Sequence, residues 1–199
     1  MRRPLSLVLG TALGTALSTV LLSTVPGVVR GPLTPLGAFA GPVTASADDP
    51  AGDQERQVAE VRTATARYAD VQEALNNGYA PSRGCVESPE GGMGVHYVNP
   101  DLVGRLDLHA PDVVLYEPLP DGSRRLVAVE WLKWDEDQDA STDDDRPSLL
   151  GVPFDGPFPA DDAMPARYEL HAWVWDANPN GMFARWNPNI TCANYTGDD

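Results

Sequence analysis

Val113-Val114-Leu115-Tyr116-Glu117-Pro118-Leu119-Pro120-Asp121-Gly122-Ser123-Arg124-Arg125-Leu126-Val127-Ala128-Val129-Glu130-Trp131-Leu132-Lys133-Trp134 is the stretch that decides the architecture. Two apolar runs rich in β-branched and aromatic residues flank a Pro-Asp-Gly link. Pro fixes one backbone angle there and Gly accepts a positive one, so the segment predicts a β-hairpin. Similar short runs lie at 93–98 and 167–175, the latter followed by the turn residues Asn178-Pro179-Asn180-Gly181 and then by Met182-Phe183-Ala184-Arg185-Trp186. Upstream, the period changes. Val58, Val61, Ala64 or Thr65, Tyr68, Val71 and Leu75 recur at three- and four-residue steps, one stripe of a helix expected over 53–77 and stopped by Gly78 and Pro81. The expected fold is α+β, one long N-terminal amphipathic helix on a four- to five-stranded, mainly antiparallel sheet with long loops.

The start of the chain speaks to compartment. Arg2 and Arg3 precede an uncharged apolar and small-residue run over 5–29, and Ala45-Ser46-Ala47 is a small-x-small triplet before Asp48. This is the pattern of a signal peptide over 1–47; Ala38-Phe39-Ala40 is a second candidate cut, and an uncleaved anchor tethering the protein to the membrane is the alternative. The layout that follows is a mobile acidic start over 48–57 and a single domain over 58–195 with an acidic loop at 135–146. The whole chain has 199 residues and a formal charge of −15. Residues 1–47 hold basic side chains but no acidic ones, and Lys133 is the only lysine. Nucleic-acid affinity rests on lysine and arginine releasing counterions, so nucleic acid is excluded as a partner. Anionic membrane surfaces are excluded after signal cleavage, and a secreted monomer is expected. Cys85 and Cys192 are the only cysteines, and an oxidising compartment favours their pairing. Two thiols without a C-x-x-C spacing exclude a thiolate zinc site.

The acidic loop opens with Asp135-Glu136-Asp137-Gln138-Asp139, carboxylates alternating as in the first half of a calcium loop. Ala140 stands where such a loop needs glycine and Arg146 where it needs a bidentate glutamate, so the segment reads as a solvated acidic loop.

Imidazoles, and carboxylates that interrupt or end apolar strands, carry the candidate chemistry. His96 and His171 sit in strand-like runs, and neutral imidazole binds transition metals. A period of two puts His171 on a face with Glu169, Trp173 and Trp175, and Glu130 on a face with Leu126, Ala128 and Leu132. A charge there needs a partner. If Glu117 pairs with Arg125 across the hairpin, the two glutamates point to opposite faces and a cross-strand ion pair accounts for Glu117. A register shifted by one puts both on one face, where with His96 and His171 they would form a two-histidine, two-carboxylate cage for zinc, iron or manganese. The plain alternative is a pair of imidazoles hydrogen-bonded within an aromatic wall. The candidate ligand pocket comprises His96, Tyr97, Glu117, Glu130, His171 and Trp173, and the candidate metal set is His96, Glu130 and His171. The functional expectation is a secreted domain binding a small ligand or divalent transition metal there. One alternative is a metal-dependent extracellular enzyme with Glu130 as general base. Another is a surface or glycan interaction domain using exposed Trp131, Trp134, Trp173, Trp175 and Trp186.

The strings Gly91-Gly92-Met93-Gly94-Val95-His96-Tyr97-Val98-Asn99-Pro100, Leu115-Tyr116-Glu117-Pro118, Val127-Ala128-Val129-Glu130-Trp131, Leu170-His171-Ala172-Trp173-Val174-Trp175, Asn178-Pro179-Asn180-Gly181-Met182-Phe183 and Trp186-Asn187-Pro188-Asn189-Ile190-Thr191-Cys192 resemble a family of exported bacterial proteins of unknown function. The resemblance covers about residues 58–192, with the insertion at 135–146 particular to this chain. It implies a stand-alone exported domain with Cys85 and Cys192 paired, and no activity.

Overall fold

Asp49 starts the first helix by accepting a hydrogen bond from the Gly52 N–H at 3.2 Å, and Pro50 takes the first helical position, where its missing N–H is no loss. The computed structural model describes residues 49–197; the signal segment read over 1–47 lies outside the described residues. Helix α1 (Pro50–Thr65) tightens into a 3-10 turn (Ala66–Ala69) and stops at Asp70. Asp70 is extended, and its carboxylate accepts the Gln72 N–H at 2.9 Å, capping the short α2 (Val71–Asn76). Two corrections follow. No single long N-terminal helix spans 53–77, because the Asp70 side chain competes for backbone donors and breaks it. Residues 50–57, expected within a mobile start, are the first two turns of α1. The stripe holds through Val58, Val61, Thr65 and Tyr68, all buried; beyond the break the phase shifts, so Ala74 is buried and Leu75 is 40% exposed. Gly78, at φ +89°, closes α2. Its N–H donates to the Leu75 carbonyl and the Tyr79 N–H to that of Ala74, the paired bonds of a Schellman cap.

A curled antiparallel sheet of six strands follows, rather than the four or five expected. It comprises β1 (Ala80–Ser88), β2 (Gly91–Val98), β3 (Val113–Pro118), β4 (Arg124–Trp134), β7 (Asp155–Phe158) and β8 (Arg167–Ala172), in the order β1-β2-β3-β4-β8-β7; β5 (Ser148–Leu149) and β6 (Val152–Pro153) form a separate pair. The added members, β1 and β7, are the edges and contain Pro81 and Pro157, in keeping with the confinement of strand prolines to edges. Residues 182–186 form turns, and the contact with β2 comes instead from Asn187 bridging Gly92.

Each face of the sheet has its own core. Val58, Val61 and Tyr68 cover Val114, Tyr116, Val129, Trp131 and Leu170 on one face. Met93, Val113, Leu115, Ala128, Leu132 and Trp173 gather with Ile190 of the C-terminal segment on the other. The Cys85–Cys192 disulfide ties that segment to β1, with Cα atoms 5.6 Å apart. The acidic loop is braced by its own side chains: Asp137 and Asp139 accept the N–H groups of Asp139 and Ser141, and Asp145 that of Glu136.

Gly94 sits in β2 at φ +90°, and a Cβ there would lie 2.5 Å from the Tyr116 carbonyl oxygen. Its conformation puts Met93 in the same core as Val113 and Leu115, the face on which His96 pairs across to Leu115. Gly94→Ala is expected to destabilise the domain by more than ~2 kcal/mol, combining left-handed strain with the clash. Gly122→Ala, also at positive φ but with open space around it, should cost only ~1 kcal/mol. Urea unfolding of both variants checks the difference, and equal losses would show that the close approach to Tyr116 is unimportant.

Candidate functional site

A bulge in β4 builds the site. Glu117 pairs with Arg125 and Tyr116 with Leu126, but Leu115 then pairs with Ala128 and Val113 with Glu130, leaving Val127 unpaired. One extra residue moves every later side chain of the bulged strand to the other face relative to a straight ladder. The two registers weighed from sequence are both present, one on each side of Val127. Leu126 consequently faces the helices, not the Glu130 side, while Ala128 and Leu132 remain with Glu130. The Val127 carbonyl is satisfied from outside the ladder by the N–H groups of Trp175 and Asp176, at 3.2 and 3.0 Å. That turn carries Trp175 away from the face of His171, to donate to Thr65 Oγ1 of α1 at 3.1 Å.

Glu130 lies directly across from His171 on β8, while His96 projects from the same face two strands away. Both imidazole Nε2 atoms reach the one carboxylate: His96 is 3.6 Å from Oε2 and His171 is 3.6 Å from Oε1. The rings meet edge to face at 6.3 Å. Ligand atoms of all three lie within 4.8 Å of one another. His171 is 1% exposed and Glu130 3%, and neither nitrogen of His171 has a hydrogen-bond partner.

Burial sets the protonation states. It pushes both imidazoles down to about 3; for His96 the neighbouring His171 adds to this while Glu169 and a Gly94 backbone bond oppose it, and for His171 the Arg185 charge adds to it. Burial pushes Glu130 well above the usual carboxylate range, reinforced by Glu169 and Asp112 and opposed by Arg167 and Arg185. Both imidazoles are therefore neutral at neutral pH, and burial favours the protonated form of Glu130. Neutral imidazole is the ligating form, and a cation would bind Glu130 as the carboxylate. Bonds of ~2.1 Å to zinc place neighbouring ligand atoms ~3.4 Å apart in a tetrahedron, close to the two 3.6 Å separations.

No family model, curated protein or solved structure matches the chain.

Not every residue grouped with the pocket from sequence is there. Glu117 shares the face but is held by Arg125 Nη2 at 2.5 Å and by the Thr191 N–H at 3.2 Å, so one carboxylate, not two, joins the histidines. Tyr97 faces the helix side, edge to face with Tyr116 at 5.0 Å. Trp173 fills the second core and donates to the Ala184 carbonyl. Trp131 is buried, and Trp134, Trp175 and Trp186 are half-buried against the two cores, so the exposed aromatic row proposed for glycan contact is not formed. The cavity of about 70 Å³ beside His96 and Glu130 is lined instead by Arg83, Met93, Met164, Arg167, Glu169 and Arg185, among others. Sequence reasoning put Glu169 on the face of His171 but left it out of the pocket and missed the arginines, although Arg167 also lies on that face by two-residue steps.

Asp112 is fully buried near this face; one oxygen accepts the Leu132 N–H at 2.8 Å and the other has no partner. Burial pushes its carboxyl up to about 7, against the hydrogen bond from Leu132. An unfolded aspartate loses its proton near ~4, so this group's contribution to stability is full below that pH and is lost as pH rises to 7. Asp112→Asn should therefore gain stability relative to wild type by on the order of 4 kcal/mol between pH 4 and pH 7. Paired urea titrations across that range measure it; a difference flat with pH would contradict the burial argument.

Proposed function

We propose that this protein is exported and that its domain binds one divalent transition-metal ion, zinc foremost, through His96, Glu130 and His171. The observation carrying this reading is the convergence of ligand atoms from half-buried His96 and buried Glu130 and His171 within 4.8 Å of one another, where the His171 imidazole has no hydrogen-bond partner. Buried polar groups in folded proteins are paired, and a cation on Nε2 would pair this one. Two histidines and a carboxylate suit zinc or ferrous iron, and three protein ligands leave a coordination position for water or a ligand atom. Export is supported by the 1–47 segment, by the resemblance to exported bacterial proteins, and by the Cys85–Cys192 bridge. Among the described residues no helix is long and apolar enough to cross a membrane.

The test is elemental analysis of protein purified without a histidine tag, followed by titration with cobalt. One equivalent of metal, with the intense visible absorption of a tetrahedral cobalt site, is expected. Protein that takes up neither zinc, iron, manganese nor cobalt at pH 7.5 would overturn the reading.

A further inference from the structure

In a chain with 14 Lys and Arg against 29 Asp and Glu, three arginines, Arg83, Arg167 and Arg185, line one cavity. They share two carboxylates. Arg83 Nη2 meets both oxygens of Asp161 at 2.9 and 3.0 Å, and Arg167 Nη1 lies 3.6 Å from the same group. Arg167 Nε donates to Glu169 at 2.7 Å, leaving Arg185 a looser 3.4 Å contact with that residue. Arg185 is held in place by stacking, its guanidinium 4.2 Å from the Phe158 ring centre and 5.5 Å from that of Trp186. Its Nε is buried and has no hydrogen-bond partner. The guanidinium group is thus oriented with donor capacity to spare, the condition for capturing an oxyanion.

Most of the remaining wall is apolar: Met93, Val98, Val113, Leu132 and Met164 border the same space, with Ser82 the polar exception. At about 70 Å³, with each water needing ~10–15 Å³ on this measure, the cavity holds roughly five water-sized groups. Inorganic phosphate could satisfy the arginines but would leave the apolar wall unused.

We infer that the cavity takes a short aliphatic carboxylate, its carboxylate bridging the metal held by His96, Glu130 and His171 to Arg185, and its chain lying along Met93, Val98 and Met164. This rests on the metal reading and names the ligand class for that site. The metal's open position and a guanidinium group bind opposite oxygens of one acid, while the apolar wall sets chain length.

Calorimetric titration of the zinc-loaded protein with butyrate and with inorganic phosphate, alongside metal-free protein, tests it. Butyrate should bind one to one, at least 10-fold tighter than phosphate, and only with zinc present. Arg185→Gln should weaken butyrate at least 10-fold while retaining one zinc; Arg185→Lys, which keeps the charge but loses the planar fork of donors, replaces it if the first variant melts early and should also weaken butyrate at least 10-fold. Zinc retained with no butyrate binding would overturn the carboxylate assignment and leave the metal site standing. Phosphate binding as tightly as butyrate, or butyrate binding equally without zinc, would also overturn it. Failure to load zinc at all is a separate readout and would remove the metal reading first.

Discussion

Replacing Cys85 and Cys192 together by serine is expected to lower the unfolding free energy by on the order of 4–5 kcal/mol. The bridge closes a loop spanning 107 residues, and constraining the unfolded chain over about that length is worth ~4.7 kcal/mol by loop-closure entropy. A domain of this size has a total stability of ~5–15 kcal/mol, so the bridge supplies a large part of the margin. Its position adds a local effect. The bond fastens β1, an edge strand with few buried residues, to the segment that carries Ile190 onto the second core. Its neighbours, the N–H groups of Thr191 and Cys192, donate to Glu117 and Glu87. Release of that segment should loosen the side of the sheet that holds Glu130. Urea unfolding of oxidised wild type against the double serine variant measures the change; a loss under ~1 kcal/mol would mean that packing alone holds the segment down.

What could be read from the sequence follows from how much each element buries. The apolar steps through Val58, Val61 and Tyr68 and the hairpin around Pro120-Asp121-Gly122 were legible because burial on one face and turn chemistry leave periodic marks. Asp70 left a fainter mark, since aspartate inside a helical pattern is only mildly disfavoured. The edge strands were invisible for the opposite reason: Arg83-Gly84 in β1 and Asp155-Gly156-Pro157 in β7 bury little and alternate in nothing. The bulge at Val127 was hidden by excess. Leu126-Val127-Ala128-Val129 is uniformly apolar because both faces of β4 are buried, and a run without alternation carries no information about register. The site depends on that register, so His96, Glu130 and His171 could be grouped as a candidate metal set without the sequence fixing which carboxylates share their face. Of the arginines, Arg167 was legible by its two-residue steps from His171, whereas Arg83 and Arg185 carried no mark of facing the site.

In metal-free protein, His171→Leu is expected to raise stability by about 1–2 kcal/mol, while stabilisation by zinc falls to nothing. A buried polar group without a partner carries a desolvation penalty of ~1–3 kcal/mol, and His171, 1% exposed, has two such nitrogens that an aliphatic side chain of similar size would remove. Zinc at 100 times its dissociation constant would add ~2.7 kcal/mol to wild type and nothing to a variant lacking one of three ligands. Glu130→Gln provides the matched control, because it keeps a side chain of nearly the same shape but cannot supply an anionic ligand; a loss in zinc affinity of at least 100-fold is expected. The two variants together separate ligation from packing. Unfolding in EDTA and in excess zinc, with the disulfide intact, supplies every comparison. If wild type shows no response to zinc and His171→Leu lowers stability in EDTA, the imidazole is a core residue whose packing outweighs its unpaired nitrogens. If the signs are as expected, the chain gives up stability at His171 that only a bound cation restores, the usual relation between a functional site and the fold carrying it.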